Sequence, residues 1–283
     1  MIKKTLDFFL DCLFPKLCLG CGLEGYFFCS NCRRTFLMAI PGFSCLGCRK
    51  RAANLLCPDC TWLYSFDGAF IGLDYHEALV KEAVRLCKYG LVKELSQELA
   101  EALIRRLERF LKQEEIRKEE IKKEGIEEET EGKIRKETKG EEEVEEKTKE
   151  EEKEEEVILS GPAVIKELFS SVIVPIPLSS FRQRWRGFNQ SEMIATRVGE
   201  YFGLEVKRDL LKRKHRKPQA KLKEEQRKNN IKGAFYTNYS KQEFPSKIIL
   251  VDDVITTGAT ASEAAKILKQ QGAEQVWLIA GAG

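Results

Sequence analysis

Eight cysteines arranged as four Cys-x-x-Cys pairs crowd residues 18 to 60 of a 283-residue chain: Cys18/Cys21, Cys29/Cys32, Cys45/Cys48 and Cys57/Cys60. Each pair fits one tight turn that aims both sulfurs at a common point, and two such turns complete a tetrahedral thiolate site. The tetrapeptide CLGC occurs at 18 and again at 45, each time followed by a second pair after seven or eight residues. Sequential closure, with the first two pairs on one ion and the last two on another, is the simpler arrangement; a cross-braced pairing fits the spacing as well. A disulfide framework is the rival, but no secretory signal precedes the pairs, so a reducing compartment is expected. The spacing therefore predicts two structural Zn2+ ions with no open coordination position. They stand in for a core that some fifty residues cannot build. Cys12 and Cys87 belong to no pair and read as apolar packing residues.

Ahead of the cysteines, MIKKTLDFFLDC has lysines before apolar residues, but Asp7 and Asp11 interrupt every apolar run. Ile2, Leu6, Phe9, Leu10 and Leu13 fall on one helical face, so residues 1–14 are expected to form an amphipathic helix. No stretch approaches the ~18 apolar residues of a spanning helix. A cytoplasmic protein without stable membrane insertion is expected. Residues 15–63 are expected to form a double zinc-ribbon domain and 64–283 a second, larger domain.

Within the larger domain, residues 112 to 156 hold 12 Lys/Arg and 21 Asp/Glu and almost nothing to bury. Such a tract cannot form a core, and 112–157 reads as a Glu/Lys low-complexity insertion. Without it the chain has 36 basic and 24 acidic residues. That basic body suits phosphate-bearing partners.

From residue 160 onward, short β-branched runs alternate with helical spacing. SSVIVPIP (170 to 177), KIILV (247 to 251) and QVWLIA (275 to 280) read as strands. NQSEMIATRVGEYFG and TASEAAKILKQQG read as helices closed by Gly203 and Gly272. Strand–loop–helix repetition predicts an α/β fold, a parallel sheet flanked by helices.

One stretch carries chemistry. In IILVDDVITTGAT, a buried strand delivers Asp252 and Asp253 to the sheet's C-terminal edge, where open α/β folds bind ligands. Gly258 permits close backbone approach, and successive N–H groups before a helix suit a monophosphate. Carboxylates only accept hydrogen bonds at neutral pH, so the aspartates suit sugar hydroxyls or the waters of a magnesium ion. A ribose 5-phosphate satisfies both. With only His76 and His215 in the chain, no Ser/His/Asp set is apparent.

These residues resemble the 5-phosphoribosyl 1-diphosphate (PRPP) signature of type I phosphoribosyltransferases. The cysteine pairs after LFPKLCLGC, together with RLCKYG at 85 to 90, VPIPLSSFRQRWRGFNQSEMIA at 174 to 195 and RKPQAKLKEEQRKNNIKGAF at 216 to 235, resemble the ComF/GntX family of competence-associated phosphoribosyltransferase-like proteins. The resemblance implies that Asp252 and Asp253 hold the ribose hydroxyls, as catalytic-site residues. Thr256, Thr257, Gly258, Ala259 and Thr260 would cradle the 5-phosphate, and Arg186 and Gly187 would face the diphosphate with its Mg2+. Arg182, Arg184 and Arg186 recur on alternate residues at that loop, which supports its facing the diphosphate, and Lys88 is a further diphosphate candidate. The basic stretch from Lys207 to Lys232 would be a closing hood, with Gln219, Arg227 and Asn230 the positions to inspect. A PRPP-binding protein acting in natural transformation and DNA uptake is implied, with single-stranded DNA and competence or recombination proteins as partners. Phe181, Trp185 and Phe188, interleaved with the arginines, offer base-stacking surfaces, although Phe188 reads better as packing under the loop. The alternative is an active phosphoribosyltransferase of nucleotide metabolism or salvage; no base pocket or acceptor nucleophile is legible.

Overall fold

In a computed structural model of the chain, the described residues are 15–38, 45–48, 50, 56–112, 171–214 and 231–283. The expected helix over 1–14, nearly all of the Glu/Lys tract, and Gln219, Arg227 and Asn230 lie outside them. The chain divides into two compact units, one of Met1–Arg105 with Ser171–Gly283 and the other of Arg106–Ser170. In the second unit, residues 106–112 are helical.

The first unit runs α1 (Ser30–Leu37), β1 (Gly68–Leu73), α2 (Ala78–Tyr89), α3 (94–105), β2 (Val172–Pro175), α4 (Ser180–Arg186), α5 (Gln190–Phe202), β3 (Lys212–Arg213), β4 (Phe235–Tyr236), β5 (Lys247–Val254), α6 (Ala259–Gln271) and β6 (Gln275–Ala282). Strands β1, β6, β5 and β2 form, in that order, a four-stranded sheet whose neighbours are all parallel. The short β3–β4 pair is a separate antiparallel ribbon. This is the α/β architecture expected from the strand–helix alternation.

Both faces of the sheet are covered, which explains why its strands read as unbroken apolar runs. On one face Ile248 and Leu250 of β5, Val276 and Leu278 of β6, and Ile71 of β1 share a core with Ala261, Ala264, Ala265 and Leu268 of α6. The alternate residues Ile173, Ile249, Val251 and Ile279 are buried too. On that side Gly281 leaves room for Leu99 of α3 and Ile194 of α5, which lie 3.2 and 3.3 Å from where a Cβ would stand. The small side chains of α6 let it approach the sheet closely. Gly203 ends α5 in the left-handed region at φ 69°, as its position after the apolar spacing predicts.

The cysteine-bearing segment shares this core: Leu46, Leu56 and Phe66 are buried with the residues of β5 and α6. Centrally placed, β5 pairs with β2 on one edge and β6 on the other, with Val251 opposite both Pro175 and Ile279. That register carries Asp252 and Asp253 to the C-terminal edge.

Gly68 sits opposite Trp277, and a Cβ there would stand 2.1 Å from the indole Cζ3. Gly68→Ala is therefore expected to lower the unfolding free energy by about 1–3 kcal/mol. Urea denaturation reads the change, and Gly68→Ala/Trp277→Leu is expected to recover part of it.

Candidate metal centres and anion site

The eight paired cysteines form two separate clusters, Cys18/Cys21/Cys29/Cys32 and Cys45/Cys48/Cys57/Cys60, and within each the sulfurs lie within 4.8 Å of one another. Pairing is thus sequential, not cross-braced. The first cluster is a turn at 18–21 facing the N-terminus of α1; the second is a turn at 45–48 facing the 3-10 turn Pro58–Leu63. The sulfurs of Cys21 and Cys29 are 3.7 Å apart and those of Cys48 and Cys57 3.5 Å apart. Four thiolates at about 2.3 Å from a tetrahedral zinc would be about 3.8 Å from each other, so the donor set fits that ion.

Backbone geometry supports the same reading. The N–H of Cys29 donates to Cys18 Sγ at 3.3 Å, and that of Cys57 donates to Cys45 Sγ at 3.4 Å. Burial works to raise the Cys18 thiol, but the N–H groups of Cys29, Gly20 and Cys21 outweigh it and hold the group down at about 6. Cys45 is held at about 6 in the same way by the N–H groups of Cys48, Cys57 and Gly47. The neighbouring Cys29 side chain, then burial, push Cys32 up to about 12. Four touching thiols cannot all ionise unless a cation joins them, and zinc would supply that charge. Cys87 lies outside both clusters, buried, with its sulfur 3.0 Å from Ser96 Oγ.

At the end of β5 the two aspartates are held by different helices. Asp252 Oδ1 accepts from Ser191 Oγ of α5 at 3.1 Å and from the N–H of Asp253 at 2.8 Å. Asp253 Oδ1 accepts from the N–H of Val254 at 2.8 Å, while its Oδ2 lies 3.2 Å from Lys88 Nζ of α2. Burial and then the charge of Asp253 push the Asp252 carboxyl up to about 7, against the opposing pull of Lys88. Among the described residues, the cations acting on this carboxylate pair are Lys88, in contact with Asp253, and Arg186, through space.

After β5 the chain enters the expected loop. Thr256 and Thr257 are exposed, Gly258 is buried at φ 71°, and α6 begins at Ala259 with Thr260 in its first turn. Thr257 Oγ1 accepts from the N–H of Ala259 at 3.5 Å. Gly258 is required twice over: its φ lies in the left-handed region, and a Cβ would stand 2.8 Å from Tyr64 Cε1. The segment entering β1 thus packs over the loop, and the N–H of Ser65 donates to Ser262 Oγ at 3.0 Å.

Among the three arginines of α4, only Arg186 turns inward. Alternation would align them along a strand, but the segment is a helix whose cap, Ser179, accepts from the N–H of Arg182. Arg182 and Arg184 are exposed and Arg186 is buried. Its Nη1 donates to Gln190 Oε1 at 3.0 Å, and its guanidinium stands 5.7 Å from the Tyr89 ring centre. Its buried Nε has no hydrogen-bond partner among the described residues. Burial lowers the Arg186 pKa while the charge of Asp253 raises it. Gly187, at φ 76°, ends the helix beside it.

Sequence reasoning missed the polar residues that organise this edge. Gln190 Nε2 donates to the carbonyl of Cys87 at 3.1 Å, joining α5 to α2, and Asn189 Nδ2 donates to the carbonyl of Ile176 at 3.1 Å. Their signal was available: Gln190 and Ser191 precede Ile194, Ala195 and Val198 at helical spacing, so two polar side chains occupy a buried face. A cleft of about 390 Å³ lined by Gln183, Gly187, Phe188, Asn189 and Glu192 lies on the outer side of α5. Neither aspartate lines it, so the cavity and the carboxylate chemistry do not coincide. Half-buried Phe188 lines that cleft.

No protein-family model matches the chain. It is 41% identical over 114 residues to "Competence protein F" of Haemophilus influenzae, covering 39% of this chain and 50% of that protein. It is 38% identical over 104 residues to "Competence protein ComFC" of Streptococcus pneumoniae, covering 36% and 44%. With "DNA utilization protein YhgH" of Salmonella typhi it shares 36% identity over 110 residues, covering 38% and 48%. The chain spans about half the length of the curated relatives it matches.

Elemental analysis is expected to find two zinc ions per chain, one for each cluster, and one after Cys29→Ser/Cys32→Ser. A second expectation concerns pH. With its folded-state pKa raised, protonated Asp252 favours the native state; that contribution is complete below about pH 4 and is lost as pH rises through about 7. Asp252→Asn is expected to flatten this slope in chemical-denaturation curves and to raise the stability of the ligand-free chain above pH 7 by about 1–3 kcal/mol.

Proposed function

We propose that this chain, a relative of the ComF family of competence proteins, binds PRPP with magnesium at the C-terminal edge of β5 and serves in DNA uptake by handling single-stranded DNA. The observation that carries the first half is the carboxylate pair itself. Among the described residues, Lys88 is the ammonium that contacts the pair, through Asp253, while its charge also acts on Asp252, at the mouth of a loop shaped for an anion. A lone phosphate would be repelled by the pair and a lone sugar would leave the loop unused. A phosphoribosyl group offers hydroxyls to the aspartates and its 5-phosphate to Thr256 through Thr260. The diphosphate arm then meets Arg186, whose buried Nε is a donor without an acceptor, and Gly187 beside it. Lys88 is drawn from Asp253 toward that arm. Magnesium would be held between the carboxylates and the diphosphate, where it supplies charge neutralisation.

The names of the relatives, which speak of competence and DNA utilization, support the second half. So does the excess of basic over acidic groups outside the Glu/Lys tract, which suits a phosphodiester backbone. A chain of this kind works in the cytoplasm, where both PRPP and an incoming strand are met.

Isothermal titration of PRPP with magnesium into the wild type and Asp252→Ala/Asp253→Ala tests the site. The double variant is expected to bind at least about 30-fold more weakly; equal affinity overturns the assignment. Affinity for a single strand is expected to fall steeply with salt, and a salt-independent affinity overturns backbone recognition. Diphosphate release in the presence of nitrogen acceptors would mark the chain as a working phosphoribosyltransferase.

A further inference from the structure

The two cations at the anion site each adjoin, in sequence, an aromatic residue that faces water. Tyr89 follows Lys88 at the end of α2, and Trp185 precedes Arg186 on α4. Side chains of this size bury most of their apolar area when a neighbour is available. Here Tyr89 is 63% exposed and Trp185 50% exposed. The two rings nonetheless meet, with centroids 6.2 Å apart and planes inclined at 55°. Arg186 stands 5.7 Å from the Tyr89 ring centre, and Lys88 reaches Asp253 at 3.2 Å. The aromatic pair is therefore continuous with the carboxylate edge through both cations.

We propose that Tyr89 and Trp185 form a base-stacking platform for single-stranded nucleic acid, with Arg182 and Arg184 taking the neighbouring phosphates. This rests on the DNA-handling half of the proposed function. Exposed rings beside cations suit a strand, because every base has a π-face and every link carries a charge. A free base stacked on the same rings would leave Arg182 and Arg184 with no phosphate to meet, and both arginines are exposed on the helix that bears Trp185. Charge complementarity thus favours a polymer over a free base. Because Lys88 and Arg186 serve the PRPP site and adjoin the platform, a stacked base lies next to the bound phosphoribosyl group.

Fluorescence anisotropy with a labelled oligothymidylate, and with an abasic strand of equal length, tests the platform in the full chain. Tyr89→Ala/Trp185→Ala is expected to bind oligothymidylate about tenfold or more weakly than wild type. Its salt dependence should be nearly unchanged, since the arginines remain. Tyr89→Phe/Trp185→Phe is expected to stay within about threefold of wild type, which separates lost stacking from lost folding. The wild type should bind the abasic strand about as weakly as the alanine variant binds oligothymidylate. An alanine variant that retains wild-type affinity for a salt-sensitive strand overturns the platform and leaves DNA handling standing. A wild type that binds no strand overturns both. If free thymine loses affinity in the alanine variant while the strand does not, the rings belong to an acceptor base and the strand assignment is wrong.

Discussion

Two consecutive carboxylates at the end of one buried strand are the constraint around which this fold is arranged. Strand β5 is hydrogen-bonded to β2 and β6, and at its end it sets Asp252 half-buried and Asp253 buried. Each takes a partner from a different helix: Ser191 at the start of α5 for Asp252, Lys88 at the end of α2 for Asp253. Gln190 then ties α5 to the backbone of Cys87 on α2 and also holds Arg186. One polar network thus fixes the ends of three helices against the sheet. The raised pKa of Asp252 is the energetic trace of that arrangement.

The fold was legible where its causes are local. The apolar run of β5, the Thr/Gly loop and the cysteine quartets each declare themselves within a few residues, because strand burial, a left-handed glycine and a thiolate turn are short-range requirements. Cross-bracing could not be dismissed from spacing, since both pairings satisfy it. The N–H donation from Cys29 to Cys18 and from Cys57 to Cys45 is what joins adjacent pairs. Alternation in sequence does not say which of Arg182, Arg184 and Arg186 turns inward, because Ser179 caps a helix whose period is 3.6. The Lys88–Asp253 contact was beyond reach, because it depends on how α2 lies against β5.

What the site lacks is as informative as what it has. Arg186 is buried with an orphaned Nε, and a buried donor without an acceptor costs about 1–3 kcal/mol. Asp252 carries a cost of opposite sign in charge, an anion without enough cation. An anionic arm that brings a divalent cation with it would relieve both at once, as the proposed PRPP–magnesium complex would. Neither a simple cation nor a simple phosphate would.

The metal clusters bear on this chemistry more directly than their distance in sequence suggests. Cys60 closes the second cluster, and within a few residues Tyr64 lies against Gly258 while the N–H of Ser65 donates to Ser262 on the first turn of α6. Tyr64 and Phe66 stack with ring centroids 5.0 Å apart, and Phe66 is buried in the core shared with β5. The Thr256–Thr260 loop is therefore shaped on one side by its own glycine and on the other by the chain leaving the second cysteine cluster. Zinc held by the second cluster would thus help to position the loop, through the packing of Tyr64 and the Ser65–Ser262 hydrogen bond.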